Sequence, residues 1–339
     1  MLSRALPFIV LIATSTAAAQ LWATPQVTAQ NPLLSGFKAK GTTFTKGKAT
    51  VTLDVVAGQV VGIHAQAPAT DTDAVARVLL TAWGGSSADL EGIKKILTQR
   101  DIQLQSRMKG GLRQSATQDG HDLLALKLSG EGQKAQWQAY AAINIQPLSE
   151  FPKTKNASGN TNAPNTIHIF SDYQCPYCKK LWDEVLPTWE KDPKNYRVTH
   201  LHFPLDFHRN AFPAAEASEC AAAQGQFWAF SDLLFKQFDR WTPLLGGNVT
   251  KQFNSYAQQL KLNVTQFKTC LEKQTFEATV NAQMNAGKKL GVRGTPTVFL
   301  NGVKMSDYSS TAEAARIKSV TTGKTTALTV ITRRLAQFK

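Results

Sequence analysis

The chain has 339 residues, 42% of them hydrophobic and 18% charged, with a formal net charge of +14. That length accommodates two domains with full cores. The positive charge is spread along the chain: no block of five like charges occurs, and no basic run is interleaved with aromatics. A nucleic-acid-binding stripe is therefore excluded as the account of the charge, which reads as solvated surface.

Met1 to Ala19 has the make-up of a secretory signal, with Arg4, the apolar run Ala5–Ala13 and the small residues Ala17, Ala18 and Ala19 before Gln20. The run is too short to span a bilayer, and no Cys follows it to carry a lipid. The mature chain is expected to work in the periplasm or outside the cell. Residues 20–36 are polar without periodicity and read as a tether.

Residues 37–148 carry the pattern of a smaller α+β domain. Val51, Leu53 and Val55 alternate with Thr52 and Asp54, and Val61, Ile63 and Ala65 follow Ala57-Gly58, a hairpin signal. Ala74, Val75, Val78, Leu79 and Ala82 form a helical stripe over Asp73–Trp83, capped by Asp71 or Thr72. A second helix is expected over Ser87–Gln99. Alternation returns at Leu124, Leu126 and Leu128, then from Trp137 to Ile145. Strands, helices and strands in that order predict an antiparallel sheet.

Residues 149–164, with Pro152, Pro164 and several Asn, Ser and Lys, read as a linker. The second domain, 165–339, opens on an apolar strand ending at Phe170. A helix carrying Leu181, Trp182, Val185, Leu186 and Trp189 follows, with Pro187 and Pro193 as its expected end. Arg197–Pro204 is a strand, and about 209–290 is a helical block broken at Gly225 and at Pro243–Gly247. Strand character resumes over Thr297–Leu300, with a turn at Asn301-Gly302, a short strand from Val303 and a C-terminal helix from about Ser310.

Between the first strand and helix of this domain stands Cys175-Pro176-Tyr177-Cys178. Two thiols three positions apart can close and reopen a disulfide across one helical turn. The first lies at the helix N-terminus, where unpaired N–H groups and the dipole favour a thiolate. Pro176 suits the first helical position. Half a zinc site has the same spacing, but Cys220 and Cys270 are isolated from each other, and His200 and His202 on one strand are a weak pair. An even number of cysteines in an oxidising compartment leaves Cys220 and Cys270 for a structural disulfide; two buried free thiols are the alternative.

Four stretches make residues from about Asn165 to Lys339 resemble the thioredoxin-like disulfide oxidoreductases of the DsbA kind, in the branch with a C-P-Y-C centre. They are Phe170–Cys178, Phe203-Pro204-Leu205 with His208 and Ala211, Cys220–Trp228, and Gly291–Phe299 with Gly294-Thr295-Pro296-Thr297. The resemblance implies a thioredoxin fold with a helical insertion and the exchange of disulfides with Cys pairs of other exported proteins. Oxidation is the favoured direction, and isomerase or reductase activity is the alternative. It implies that Cys175 forms a mixed disulfide with the client and that Cys178 resolves it. It also implies a cis Thr295–Pro296 bond against the thiol pair. Pro296 then joins the catalytic set, and Thr295, Pro176 and Tyr177 are candidate client contacts. No metal or cofactor is required. A membrane or soluble redox partner is expected, and a homodimer through the N-terminal domain is possible in such relatives. One departure stands out: relatives often place a buried acid six positions before the first Cys, where this chain has Ile169. Asp172 is the nearest carboxylate and reads as a loop or capping residue. A different class of function, a soft-metal carrier using Cys175 and Cys178, remains open from sequence.

Overall fold

The computed structural model describes residues 20–115 and 120–338; the expected signal Met1–Ala19 lies outside them. The described chain forms two compact units, one running to Ile145 and taken up again from Arg316, the other Gln146–Ala315.

The first unit starts with the short helix Pro25–Ala29 (α1), capped by the Thr24 hydroxyl, and a 3-10 turn over Pro32–Leu34. Residues 20–36 are thus not a free tether. Leu21, Leu33 and Leu34 are buried, and the Gln20 N–H reaches the Thr81 carbonyl at 3.2 Å. The strands are Lys38–Lys40 (β1), Thr43–Lys46 (β2), Ala49–Val56 (β3) and Gln59–Pro68 (β4), then helices Thr72–Trp83 (α2), Leu90–Leu97 (α3) and Arg100–Arg107 (α4). Leu112–Ser115 (β5), Asp122–Ser129 (β6) and Gln136–Ile143 (β7) complete a seven-stranded sheet ordered β1-β2-β3-β4-β7-β6-β5. Every pairing in it is antiparallel. The Asp71 carboxylate caps α2 by accepting the Ala74 N–H at 3.0 Å, and the buried Val75, Val78, Leu79 and Ala82 turn its apolar stripe inward onto β4 and β7. Strands β1, β2 and β5 and helix α4 escape the periodicity reading because they are short and mostly polar.

The second unit begins with residues read as a linker, yet part of them is sheet: Ala157–Ser158 (β8) pairs with β10, and Phe151 is buried in the core. Its elements continue with Asn165–Ser171 (β9), Pro176–Lys180 (α5), a π-helical turn at Leu181–Val185, Leu186–Glu190 (α6) and Tyr196–His202 (β10). Helices Ala211–Ala222 (α7), Phe227–Lys236 (α8), Phe238–Trp241 (α9), Gly247–Gln259 (α10), Val264–Glu272 (α11) and Glu277–Lys289 (α12) follow, and Thr297–Leu300 (β11) and Val303–Lys304 (β12) close the sheet. Its order is β12-β11-β9-β10-β8, with β9 and β10 parallel and the other pairs antiparallel. This is a thioredoxin fold carrying a helical insertion between β10 and β11.

Pro187 does not end the active-site helix. The wide turn just before it removes the crowding a proline ring meets against the carbonyl four residues earlier, and the helix runs on to Glu190. The helical block breaks at Gly225, whose φ of 76° needs no Cβ, and again in the 242–246 loop, as expected from Pro243–Gly247. Further breaks fall after Lys236, Gln259 and Glu272.

The chain then departs from the expected 165–339 domain. Thr311–Thr321 (α13) crosses the boundary at Arg316, and Ala327–Ala336 (α14) belongs to the first unit. Helix α14 packs on β3 and β4, Arg334 makes two bonds to the buried Asp54 carboxylate at 3.1 and 2.5 Å, and the Phe338 ring lies 5.9 Å from that of His64.

Candidate active site

Strand β9 delivers the chain to the thiol pair. Its last residue, Ser171, is followed by a tight loop, Asp172–Gln174, and Cys175 takes the N-cap position of α5 with extended backbone angles. Pro176 occupies the first helical position, and Cys178 lies one turn in. Both cysteines are free and buried, 3% and 1% exposed, whereas Pro176 is exposed and Tyr177 is 67% exposed.

Electrostatics separate the two thiols. The Cys178 thiol hydrogen-bonds Cys175 and is the largest cause that pulls its pKa down, to about 6, helped by the backbone N–H groups of Cys178 and Tyr177 and by Thr295, against the opposing effect of burial. Burial pushes the Cys178 pKa well up, and the neighbouring Cys175 adds to that. Cys175 is the easily ionised sulfur, and the deeper Cys178 holds its proton. Lys179 and Lys180 add little, since they pair with Asp183 and Glu184 within the same helix.

The loop before β11 closes the other side. The Thr295–Pro296 peptide bond is cis, and the Cys175 Sγ donates to the Thr295 carbonyl at 3.3 Å. Thr297 Oγ1 bonds back to the Gly294 carbonyl at 2.8 Å and fixes the segment. Two stretches 120 residues apart in sequence therefore meet at one sulfur. In the helical insertion Cys220 and Cys270 are joined as a disulfide with Cα atoms 5.9 Å apart, linking α7 to α11. No three His, Cys, Asp or Glu side chains among the described residues are grouped to hold a metal.

Ile169 is buried at 1% and offers no carboxyl. Asp172, however, is no simple cap. Its side chain is buried; Oδ1 accepts the Gln174 N–H at 2.7 Å, and Oδ2 accepts the Leu205 N–H at 2.9 Å and faces His208 Nδ1 at 2.7 Å. Burial raises its pKa in spite of these bonds. The Gln174 side chain ties the same loop to the insertion, donating to the Thr242 carbonyl at 3.0 Å and accepting the Asn210 N–H at 2.8 Å. Asn210 in turn donates to the carbonyls of Thr242 and Leu244. Sequence reasoning missed Gln174 and Asn210, and it took Asp172 and His208 separately. Apart from the Asp172–Gln174 bond, the partners named lie 32 to 68 residues away, beyond any local spacing signal. Phe227 is buried in the core, and Trp228 stacks on Trp182 at 5.5 Å.

A family model described as Thioredoxin matches residues 152–317. Disulfide bond formation protein D of Bacillus subtilis (strain 168) is 30% identical over 177 residues, which cover 50% of this chain and 76% of that protein. The chain belongs to this family. A probable disulfide bond formation protein D of Bacillus anthracis is 29% identical over 173 residues, 48% of the chain and 76% of that relative. Part of the chain also matches part of longer proteins: the Na(+)/H(+) antiporter NhaA 3 of Salinispora tropica is 32% identical over 152 residues, 44% of this chain and 22% of the antiporter. This member of the disulfide bond formation protein D family therefore spans about a quarter or less of those first relatives. Among solved structures, oxidised BdbD from Bacillus subtilis aligns with a TM-score of 0.41 at 21% identity, over 57% of this chain and 96% of that one. Pseudomonas aeruginosa DsbA2 aligns at 0.41 and 20%, over 49% and 92%. No helix of the described residues is long and apolar enough to cross a membrane.

Proposed function

We propose that this protein is an exported thiol–disulfide oxidoreductase that exchanges disulfides with Cys pairs of other exported proteins through Cys175 and Cys178, with client oxidation as its favoured direction. The observation that carries the reading is the split between the two sulfurs: a Cys175 thiol whose pKa falls to about 6 beside a buried Cys178 whose pKa rises. In the oxidised protein a client thiolate attacks the Cys175 sulfur. A client–Cys175 bond forms, the Cys175–Cys178 bond breaks, and the electron pair passes to Cys178. The second client thiolate then attacks the client sulfur of the mixed disulfide, and Cys175 leaves as a thiolate. The client has lost two electrons and two protons; Cys178 keeps one of the protons and solvent takes the other.

Direction follows from thiolate stability. A Cys175 that holds its charge cheaply stabilises the reduced pair and makes the oxidised pair an electron acceptor. Thr295 and Pro296 stand against the reacting sulfur, and we assign the Thr295 main chain to an incoming extended client segment, paired as an added strand. Pro176 and the exposed Tyr177 would meet the client beside its cysteine. A membrane or soluble redox partner would reoxidise the pair.

A redox titration tests the direction. A potential near −120 mV, the value typical of DsbA, supports an oxidase, whereas one near thioredoxin's −270 mV refutes that direction and favours the reductase reading.

A further inference from the structure

We propose that Asp172 is a positioning residue for Cys178: its buried carboxylate, tied to His208, holds the backbone N–H of residue 172 on the Cys178 sulfur, where it stabilises the thiolate that exchange creates. The proposal rests on the disulfide-exchange reading above.

Cys178 is 1% exposed, so charge appearing on its sulfur finds no bulk water. Ile169, also buried, contributes nothing polar. The Ser171 hydroxyl bonds the sulfur, and the Asp172 N–H reaches it as well, at 3.4 Å. That donor depends on the conformation of a three-residue loop between β9 and α5, and the Asp172 side chain fixes the loop from outside. One carboxylate oxygen accepts from Gln174 inside the loop; the other joins Leu205 and His208 in the segment that follows β10. The carboxylate thus pins the redox loop to a separate stretch of chain 33 to 36 residues on. A carboxylate placed in such a buried position is costly unless its bonds are all made, and here each oxygen has its partners. His208 is the outer end of the pin, with 19% of its side chain exposed.

The chemistry gives the donor its use. When the client thiolate attacks Cys175, the Cys175–Cys178 bond breaks and the electron pair settles on Cys178 Sγ. A fixed N–H aimed at that atom is stronger in the charge-separated state than in the disulfide, the logic of an oxyanion hole applied to sulfur. In the reverse direction the same donor favours the Cys178 thiolate as attacking group. The proton that Cys178 finally holds comes from the client thiol or solvent, so no further reactant is needed.

The test compares the Cys178-dependent step with one that does not involve Cys178. Oxidised protein is reduced by dithiothreitol in stopped flow, followed by tryptophan fluorescence, and Cys175 alkylation by iodoacetamide is measured separately in a Cys178→Ala background. Asp172→Asn, whose amide group presents a donor to the Leu205 N–H, is expected to slow reduction about tenfold while changing alkylation in the Cys178→Ala background less than twofold. His208→Ala is expected to slow reduction three- to fivefold, and His208→Asn, which restores an N–H near the Nδ1 position, to recover at least half of that loss. Reduction rates within twofold of wild type in both Asp172→Asn and His208→Ala would overturn the proposal. So would an equal slowing of alkylation, which marks general damage to the site. If Asp172→Asn does not fold, the His208 pair of variants decides alone. A wild-type protein that dithiothreitol reduces normally but that leaves dithiol peptides unoxidised sinks the functional reading, and the comparison of variants is still read out.

Discussion

At the scale of single residues, the site turns on where each side chain sits against rigid neighbours. Cys175 and Cys178 have the same chemistry and opposite ionisation because one caps a helix beside the Thr295 segment and the other is enclosed one turn deeper. A contrasting residue is Gly287 on α12. A Cβ there would lie 2.8 Å from the Phe203 ring and 2.9 Å from that of Phe170, both in the core beneath the strands that carry the site. Alanine has the better helix propensity by up to about 1 kcal/mol, but two aromatic rings must move to admit the methyl. Gly287→Ala is expected to destabilise the second unit by roughly 1–3 kcal/mol in chemical denaturation; a stabilised variant would show that the packing there is loose. The thiol pair and Pro176 were legible in the sequence as a short motif with a mechanical reason, and the Thr295–Pro296 segment through the family resemblance. Asp172 with His208 was not, since the contact that defines it spans 36 residues.

At the scale of elements, hydrophobic period located the long pieces and turn chemistry located their ends. Strands β3, β4, β6, β7, β9 and β10 and helix α2 stood out because they are apolar on a clear face, and the Asn301-Gly302 hairpin because both residues adopt positive φ, 51° and 83°. The helix that carries Trp189 ends at Glu190, between Pro187 and Pro193, and the π-helical turn lets it pass the first of these prolines. The short polar strands β1, β2, β5 and β8 carry no period long enough to detect and are defined by their partners. Within the helical insertion, the Cys220–Cys270 bridge joins α7 and α11 over a separation of 50 residues. A loop of that size is worth about 4 kcal/mol in the chain-entropy account. Replacing both cysteines by Ser is expected to lower the unfolding midpoint of the second unit by several degrees and to leave Cys175 alkylation unchanged. A matching fall in alkylation rate would mean that the insertion, and not only its stability, depends on the bridge.

At the scale of the whole molecule, the order of elements foretold an antiparallel α+β unit and the resemblance a thioredoxin fold after it, but neither showed that α14 returns to the first unit. Its apolar stripe and Arg334 find their partners, β3, β4 and Asp54, some 280 positions back, and no local pattern encodes that. Both units share a liability to acid. Burial lowers the pKa of His64 and of His168 to about 4, and holds that of the fully buried His200 well below the ordinary value. These histidines are neutral in the folded chain at a pH where the unfolded chain, with pKa near 6.5, binds protons. Their contribution is therefore complete above about pH 6.5 and is lost as pH falls toward 4. Stability to denaturant is expected to drop by several kcal/mol across that window; a flat profile between pH 6.5 and 4 would contradict the burial of these rings.

The central claim is that Cys175 carries negative charge cheaply next to a Cys178 that does not. The direct measurement is the rate of iodoacetamide alkylation of the reduced protein from pH 4 to 9, with glutathione as reference. The account predicts a single reactive thiol, Cys175, titrating near pH 6, reacting faster than glutathione in the mildly acidic range and levelling off above neutrality. A midpoint at the ordinary thiol value of about 8.5, with a rate no greater than that of glutathione below pH 7, would contradict it.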